Sequence, residues 1–313
     1  MKTEILFQMS AVYRDDFRVT GFSFGEGEES VCIVGSMRGN EYQQIYACSQ
    51  LIQRLRILEE EGRVTAGKKI TVIPCANPYS VNVKKRFWTI DNTDINRMFP
   101  GYDLGETTQR IAGGIFEKIK GYRYGIQFAS FYMPGEFVPQ IRMMKTGHEN
   151  IELAKQFGMP YVVLHTPRPF DTATLNYNWQ IWETDAFSVY TTSTGAIDRD
   201  SAAQAVNSIL IFLSKQGIID YRGHEGYISR VVESKDFINL RAKSAGFFIE
   251  DARAGQKVSK GDELARITDP YTGEVRQVFT SPEDGVIAFI HNETLAYQQT
   301  AVIKLIRDMV STL

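Results

Sequence analysis

The side chains that could do chemistry in this sequence are arginines and carboxylates rather than histidines. Histidine occurs four times, at His148, His165, His224 and His291, each alone, so no His-x-x-x-His or His-x-x-Glu spacing offers a metal two ligands on one turn. Arg38 stands three residues before Glu41, just after the apolar run 31–35, and this spacing predicts a charge-assisted pair on one turn. A guanidinium has no free lone pair and stays protonated, so Arg38 can hold an anion but cannot ligate a cation. Downstream come Asn77-Pro78, Arg86, and Asp94-Ile-Asn-Arg97 followed by Phe99-Pro100-Gly101. Gly35-x-x-x-Gly39 lacks the Lys-Ser or Lys-Thr of a phosphate loop, so a tight strand-to-helix turn explains its glycines better. Ser193 and Thr194 have no histidine and carboxylate nearby in sequence, which leaves a serine triad unsupported. His148 reads as a loop or cap residue. His165 ends a strand, either as a hydrogen-bonded residue at the core edge or as a substitute ligand. Tyr190 reads as a packed aromatic or a phenol near the site, and Tyr177, Trp179 and Trp182 as a loop over it or an interface.

Lys+Arg 35 against Asp+Glu 37 gives a net charge of -2, which predicts no general attraction to nucleic acid or to an acidic membrane surface. The hydrophobic fraction of 43% and the charged fraction of 23% belong to a folded globular chain. The length of 313 residues favours two compact units. Cys32, Cys48 and Cys75 are odd in number and lie in or beside apolar stretches, so reduced thiols are expected. No apolar run approaches the roughly 20 residues that span a bilayer. Glu4 and Gln8 interrupt the segment where an export signal would need an apolar core, so the reading is cytoplasmic.

These residues must be positioned by the elements around them. The spacing predicts strands over 31–35, 69–74, 124–128, 161–165 and 187–191, and helices over 42–61, 107–120, 151–157 and 201–216. Strands alternating with crossover helices imply an α/β domain with a mostly parallel, mixed sheet covered by helices on both faces. Functional groups then collect beyond the carboxyl ends of the strands. After about residue 219 helical periodicity stops, and short β runs alternate with glycine turns, predicting a small C-terminal all-β barrel-like domain. The division is set at 1–222 and 223–313. The β module has the spacing of half a lipoyl- or biotinyl-type barrel, but no lysine occurs between Lys260 and Lys304 to carry such a group. A packing or assembly role, with a homo-oligomer left open, is the expectation.

Gly35-Ser-Met-Arg-Gly-Asn-Glu41, Asn77-Pro78, Arg86 and Asp94-Ile-Asn-Arg-Met-Phe-Pro-Gly101 together resemble the signature of the succinylglutamate desuccinylase and aspartoacylase family. Those proteins are zinc-dependent amide hydrolases with a zinc-carboxypeptidase-like α/β domain. The resemblance extends over nearly the whole chain, its β-rich end included. It implies three metal ligands: a histidine and a glutamate in a His-Gly-x-Glu step, and a second histidine on a later strand. Here those positions read Arg38, Glu41 and, in Gly125-Ile-Gln-Phe-Ala-Ser130, Ala129, with Gln127 where the family has an acid two residues before its histidine. The general-base glutamate of a Thr-x-Glu-x-Gly step corresponds to Ser193 in Thr191-Thr-Ser-Thr-Gly195. The family's substrate-binding arginine and Asn-Arg pair correspond to Arg86, Asn96 and Arg97, with Asp94 orienting an arginine or capping the loop; structural salt bridges at strand ends are the alternative reading of Arg86 and Arg97.

The resemblance therefore implies a binding site without its metal. Arg38, Arg86, Asn96 and Arg97 would receive a small anionic, acylated amino-acid-like ligand, and no cofactor is expected. Two alternatives stand beside this. One is an active metal-dependent amidohydrolase using zinc on rearranged ligands such as Glu41, His148 or His165. The other is a non-catalytic subunit that pairs with an active relative.

Overall fold

The protein is described by a computed structural model covering residues 1–308. It divides into two compact units, residues 1–130 with 140–231, and residues 131–139 with 232 onward. This division lies downstream of the 222/223 boundary set from sequence texture, because the segment through 229 is irregular and stays with the larger unit. The excursion at 131–139 has no counterpart in the sequence reading; it joins the second unit through a two-residue strand.

In chain order the larger unit contains β1 (Lys2–Met9), β2 (Phe17–Phe24), β3 (Gly27–Ser36), α1 (Tyr42–Glu60), β4 (Gly67–Cys75), α2 (Pro78–Asn82), α3 (Thr107–Ile119) and β5 (Tyr124–Ala129). The short β6 (Glu136–Phe137) belongs to the second unit. Then follow β7 (Gln140–Met144), α4 (Ile151–Lys155), β8 (Tyr161–His165), α5 (Leu175–Ile181), β9 (Asp185–Tyr190) and α6 (Arg199–Lys215), and the division at 231/232 falls within β10 (Arg230–Glu233). One nine-stranded sheet runs β1-β2-β4-β3-β5-β9-β7-β8-β10. The pairs β3·β4, β3·β5, β5·β9 and β7·β8 are parallel, while β1·β2, β2·β4 and β7·β9 are antiparallel.

Both faces of the sheet are covered, as continuous apolar strands require. Along β3, Val31 and Ile33 join a cluster with Leu51 and Leu55 of α1 and Ile209 and Phe212 of α6. The alternate residues Cys32 and Val34 join the opposite cluster with Ile115 of α3 and Leu175 and Trp179 of α5. Trp179 explains a glycine inside a strand: a Cβ on Gly125 would stand 2.6 Å from its indole ring, so only glycine lets the ring lie on β5. Trp179 is fully buried and donates from Nε1 to the Ile119 carbonyl at 3.1 Å, so it is a core residue rather than part of a loop over the site.

The second unit continues with β11 (Phe237–Arg241), β12 (Gly246–Glu250), β13 (Lys257–Val258), β14 (Glu263–Thr268), β15 (Val275–Thr280), β16 (Gly285–Ile290), β17 (Leu295–Ala296) and β18 (Ala301–Arg307). It forms a sheet β11-β18-β16-β13, with β6 paired to β16, and a second sheet β15-β14-β12-β17. Leu264, Ile267, Ile287, Val302 and Leu305 fill its core. The cysteines are free thiols, and no helix among the described residues is long and apolar enough to cross a membrane.

Candidate functional site

The turn after β3 carries Arg38 and Glu41 into a buried position, 7% and 1% exposed. Arg38 Nη1 donates to Glu41 Oε1 at 3.0 Å, while Nη2 and Nε both donate to Asp94 Oδ2, at 2.7 and 3.1 Å. The other Glu41 oxygen accepts from the backbone amides of Met37 and Arg38 at 2.9 and 3.0 Å, and the Ser130 hydroxyl donates to Oε1. Both carboxylate oxygens of Glu41 are thus occupied by protein donors. Burial alone would lower the Arg38 pKa, but Glu41 and Asp94 outweigh it and hold the group above its ordinary value. A permanently charged guanidinium bridges two carboxylates.

Asp94 also organises the residues that follow it. Its Oδ1 accepts from the Asn96 amide at 3.1 Å, capping the 3-10 turn Ile95–Arg97. The Asn96 side-chain carbonyl in turn accepts from Gln127 Nε2 at 3.3 Å and from the Leu175 amide at 3.4 Å. Gln127 acts here as an amide donor. Ala129 offers only a backbone carbonyl, which accepts from Gln44 Nε2 at 3.3 Å.

Arg86 follows β4 and α2. Asn77 caps α2 by accepting from the Ser80 amide at 3.2 Å, and Ser80 Oγ donates to the Phe87 carbonyl at 2.8 Å, which fixes the loop. The Gly39 amide donates to the Arg86 carbonyl at 3.1 Å, tying this loop to the Arg38 turn. No Cβ fits at Gly39: it would lie 2.3 Å from the Lys85 carbonyl oxygen. Burial and then the charge of Arg38 lower the Arg86 pKa, with Glu41 and Asp94 opposing and Arg97 adding to the shift. No carboxylate pairs with Arg86 among the described residues; its guanidinium carbon lies 5.6 Å from the centre of its neighbour Phe87.

Arg97 is engaged elsewhere. Its Nη1 donates to Asp171 Oδ1 at 3.1 Å and to the Phe170 carbonyl, and the guanidinium lies 5.0 Å from the Phe170 ring centre. Asp171 also accepts from the Arg168 amide and bonds His165 Nε2, each at 3.0 Å. Of the three guanidinium groups expected to face one ligand, Arg38 and Arg97 are ion-paired within the chain, and among the described residues Arg86 is not. Sequence reading missed Asp171 and Ser130, which meet their partners only through long-range folding; an acid in the Pro169–Asp171 turn was the one local sign.

The remaining candidates are less involved. Ser193 Oγ accepts from the Ala196 amide at 3.3 Å, as a turn hydroxyl does. His148 is an exposed turn residue, the exposed His224 accepts from Gly226, and His291 lies buried in the β unit. Tyr177 lies on α5, and Trp182 packs edge-on against Phe116 at 5.5 Å. Tyr190 is half-buried, 6.0 Å from the Arg142 guanidinium. Burial pushes the Cys75 thiol to about 11, so no thiolate nucleophile forms there near neutral pH.

A mixed α/β sheet bearing an arginine and carboxylate cluster beyond the ends of β3 and β4, followed by an antiparallel β unit, defines a recognisable class of chain. The succinylglutamate desuccinylase/aspartoacylase catalytic-domain profile matches residues 28–213, and the chain belongs to that family. It is 25% identical over 295 residues to the N-alpha-acetyl-L-2,4-diaminobutyric acid deacetylase of Halomonas elongata, covering 86% of this chain and 79% of that protein. Its fold matches a succinylglutamate desuccinylase from Silicibacter sp. TM1040 with a TM-score of 0.80 at 19% identity, covering 96% of this chain and 93% of the other. The product-bound ectoine utilization protein EutE (DoeB) of Ruegeria pomeroyi matches with a TM-score of 0.79 at 19% identity, over 94% and 90% of the two chains.

Proposed function

We propose that this chain binds a small anionic, acylated amino-acid-like ligand at Arg86 and Asn96 and does so without zinc hydrolysis. The observation that carries the reading is the Glu41–Arg38–Asp94 bridge, in which a guanidinium stands between the carboxylates at a position where the family resemblance calls for a metal ligand. The donor set does not suit the metal. Arg38 cannot coordinate, Ala129 has no side-chain donor, and Glu41 already accepts from Arg38, Ser130 and two backbone amides. Among the described residues no group of three or more His, Cys, Asp or Glu is placed to hold a metal ion. Ser193 has no carboxylate to offer as a base.

Elemental analysis of protein purified without chelator, paired with thermal-shift titration against N-acetylated amino acids, tests this. The expected result is far less than one transition metal per chain and a midpoint that rises with ligand concentration. One tightly held metal per chain, coordinated by Glu41, would overturn it. Family membership favours a second reading, a metal-dependent deacylase; activity lost on chelation and restored by zinc would select that reading.

A further inference from the structure

The charges around Arg38 limit what a ligand can bring to them. Arg38, Arg86 and Arg97 are the local cations, and Glu41, Asp94 and Asp171 the local anions. Arg38 is shared by two carboxylates, so the Glu41–Arg38–Asp94 group carries a surplus negative charge. Arg97 is matched by Asp171. Arg142 is engaged in interactions of its own, and Arg168 is an exposed side chain beside Phe170. Among the described residues, Arg86 alone of these three arginines has a guanidinium without a carboxylate partner.

We propose that the site takes ligands with one carboxylate, held by Arg86, and discriminates against a second anionic group. This deepens the reading given under Proposed function and rests on it. The matching class is N-acyl amino acids whose side chain is neutral or cationic. A second carboxylate would either approach the surplus negative charge at Glu41 and Asp94 or have to displace one of them from Arg38, leaving a buried carboxylate unpaired.

Calorimetric titration of the full chain with N-acetyl-L-alanine, N-acetyl-L-lysine and N-acetyl-L-aspartate decides the matter. The first two are expected to bind about tenfold or more tightly than the third, and Arg86→Gln to weaken them by a similar factor. Asp94→Asn unloads Arg38 and is expected to narrow the gap for the aspartate derivative; if that variant does not fold, Asp171→Asn unloads Arg97 and serves instead. Equal or tighter binding of N-acetyl-L-aspartate, dependent on Arg86, overturns the single-carboxylate inference while leaving ligand binding intact. Failure of all three compounds to bind at millimolar concentration overturns the Proposed function itself.

Discussion

Arg38 Nη2 and Nε close on the same oxygen of Asp94, at 2.7 and 3.1 Å, across 56 residues of chain. That contact joins the turn after β3 to the 3-10 turn at Ile95–Arg97, and Glu41 completes it from the other side of the guanidinium. A cation buried between two carboxylates makes the cluster a structural keystone as well as a candidate binding surface.

Removing the cation exposes its structural role. Arg38→Ala leaves Glu41 and Asp94 buried without a counter-charge, and breaking such a group costs about 3–5 kcal/mol. The combination of Arg38→Met with Glu41→Gln and Asp94→Asn removes all three charges and is expected to recover much of that loss. Urea unfolding at neutral pH measures both. A single Arg38→Ala variant as stable as the parent would show that the bridge contributes little.

Acid should weaken the fold in two stages through the His165–Asp171 pair. Burial, then the nearby Arg142, lowers the His165 pKa below 6.5. The unfolded chain therefore takes up this proton first, so the stabilising contribution is complete above pH 6.5 and lost as pH falls toward the folded value. Asp171 is shifted down against its burial by the Arg168 amide, His165 and Arg97, so its contribution is held above pH 3.8 and lost below. His165→Gln is expected to remove the first stage and leave stability above pH 7 nearly unchanged. Chemical unfolding across pH 4 to 8 reads this directly; an identical slope in parent and variant below pH 6.5 would contradict it.

The degree to which these features were legible in the sequence follows from their range. Strand 161–165 coincides with β8, and the helix expected over 42–61 is α1, because both have strong local patterns. The N-terminal pair β1·β2 was missed, as was β7, whose antiparallel pairing with β9 departs from the βαβ grammar. The helix expected over 151–157 ends at Lys155. At the site, Arg38–Glu41 could be read from their three-residue spacing. Asp94 was read as orienting an arginine or capping the loop, and it does both, but its partner Arg38 and the capture of Arg97 by Asp171 depend on loops meeting in space. No residue count reveals that two of the arginines are already neutralised.

Gly39 should be intolerant of any side chain. A Cβ there would lie 2.3 Å from the Lys85 carbonyl oxygen and from the backbone of Ser80, neither of which can swing away like a side chain. Gly39→Ala is expected to cost about 1–3 kcal/mol and to separate the Arg38 turn from the Arg86 loop. Thermal unfolding and ligand titration should therefore move together. A variant with lowered stability but unaltered affinity would show that the Gly39 amide contact with Arg86 does not position the guanidinium.

Rebuilding the metal ligands tests the chemistry in the opposite direction. Arg38→His with Ala129→His would add two imidazoles to Glu41 at the ligand positions implied by the family resemblance and would release Glu41 from the guanidinium that now occupies it. Neither single substitution supplies three side-chain ligands, so only the double variant is expected to retain stoichiometric zinc after desalting. Gln127→Asp places a carboxylate two residues before the new imidazole, and an acid hydrogen-bonded to a ligating imidazole typically raises metal affinity about 10–100-fold. The triple variant should then outcompete the double variant for zinc in a chelator titration. Equal zinc retention by the parent chain would mean that Arg38 does not displace the ion; a folded double variant that holds none would mean that the turn after β3 no longer presents ligand geometry.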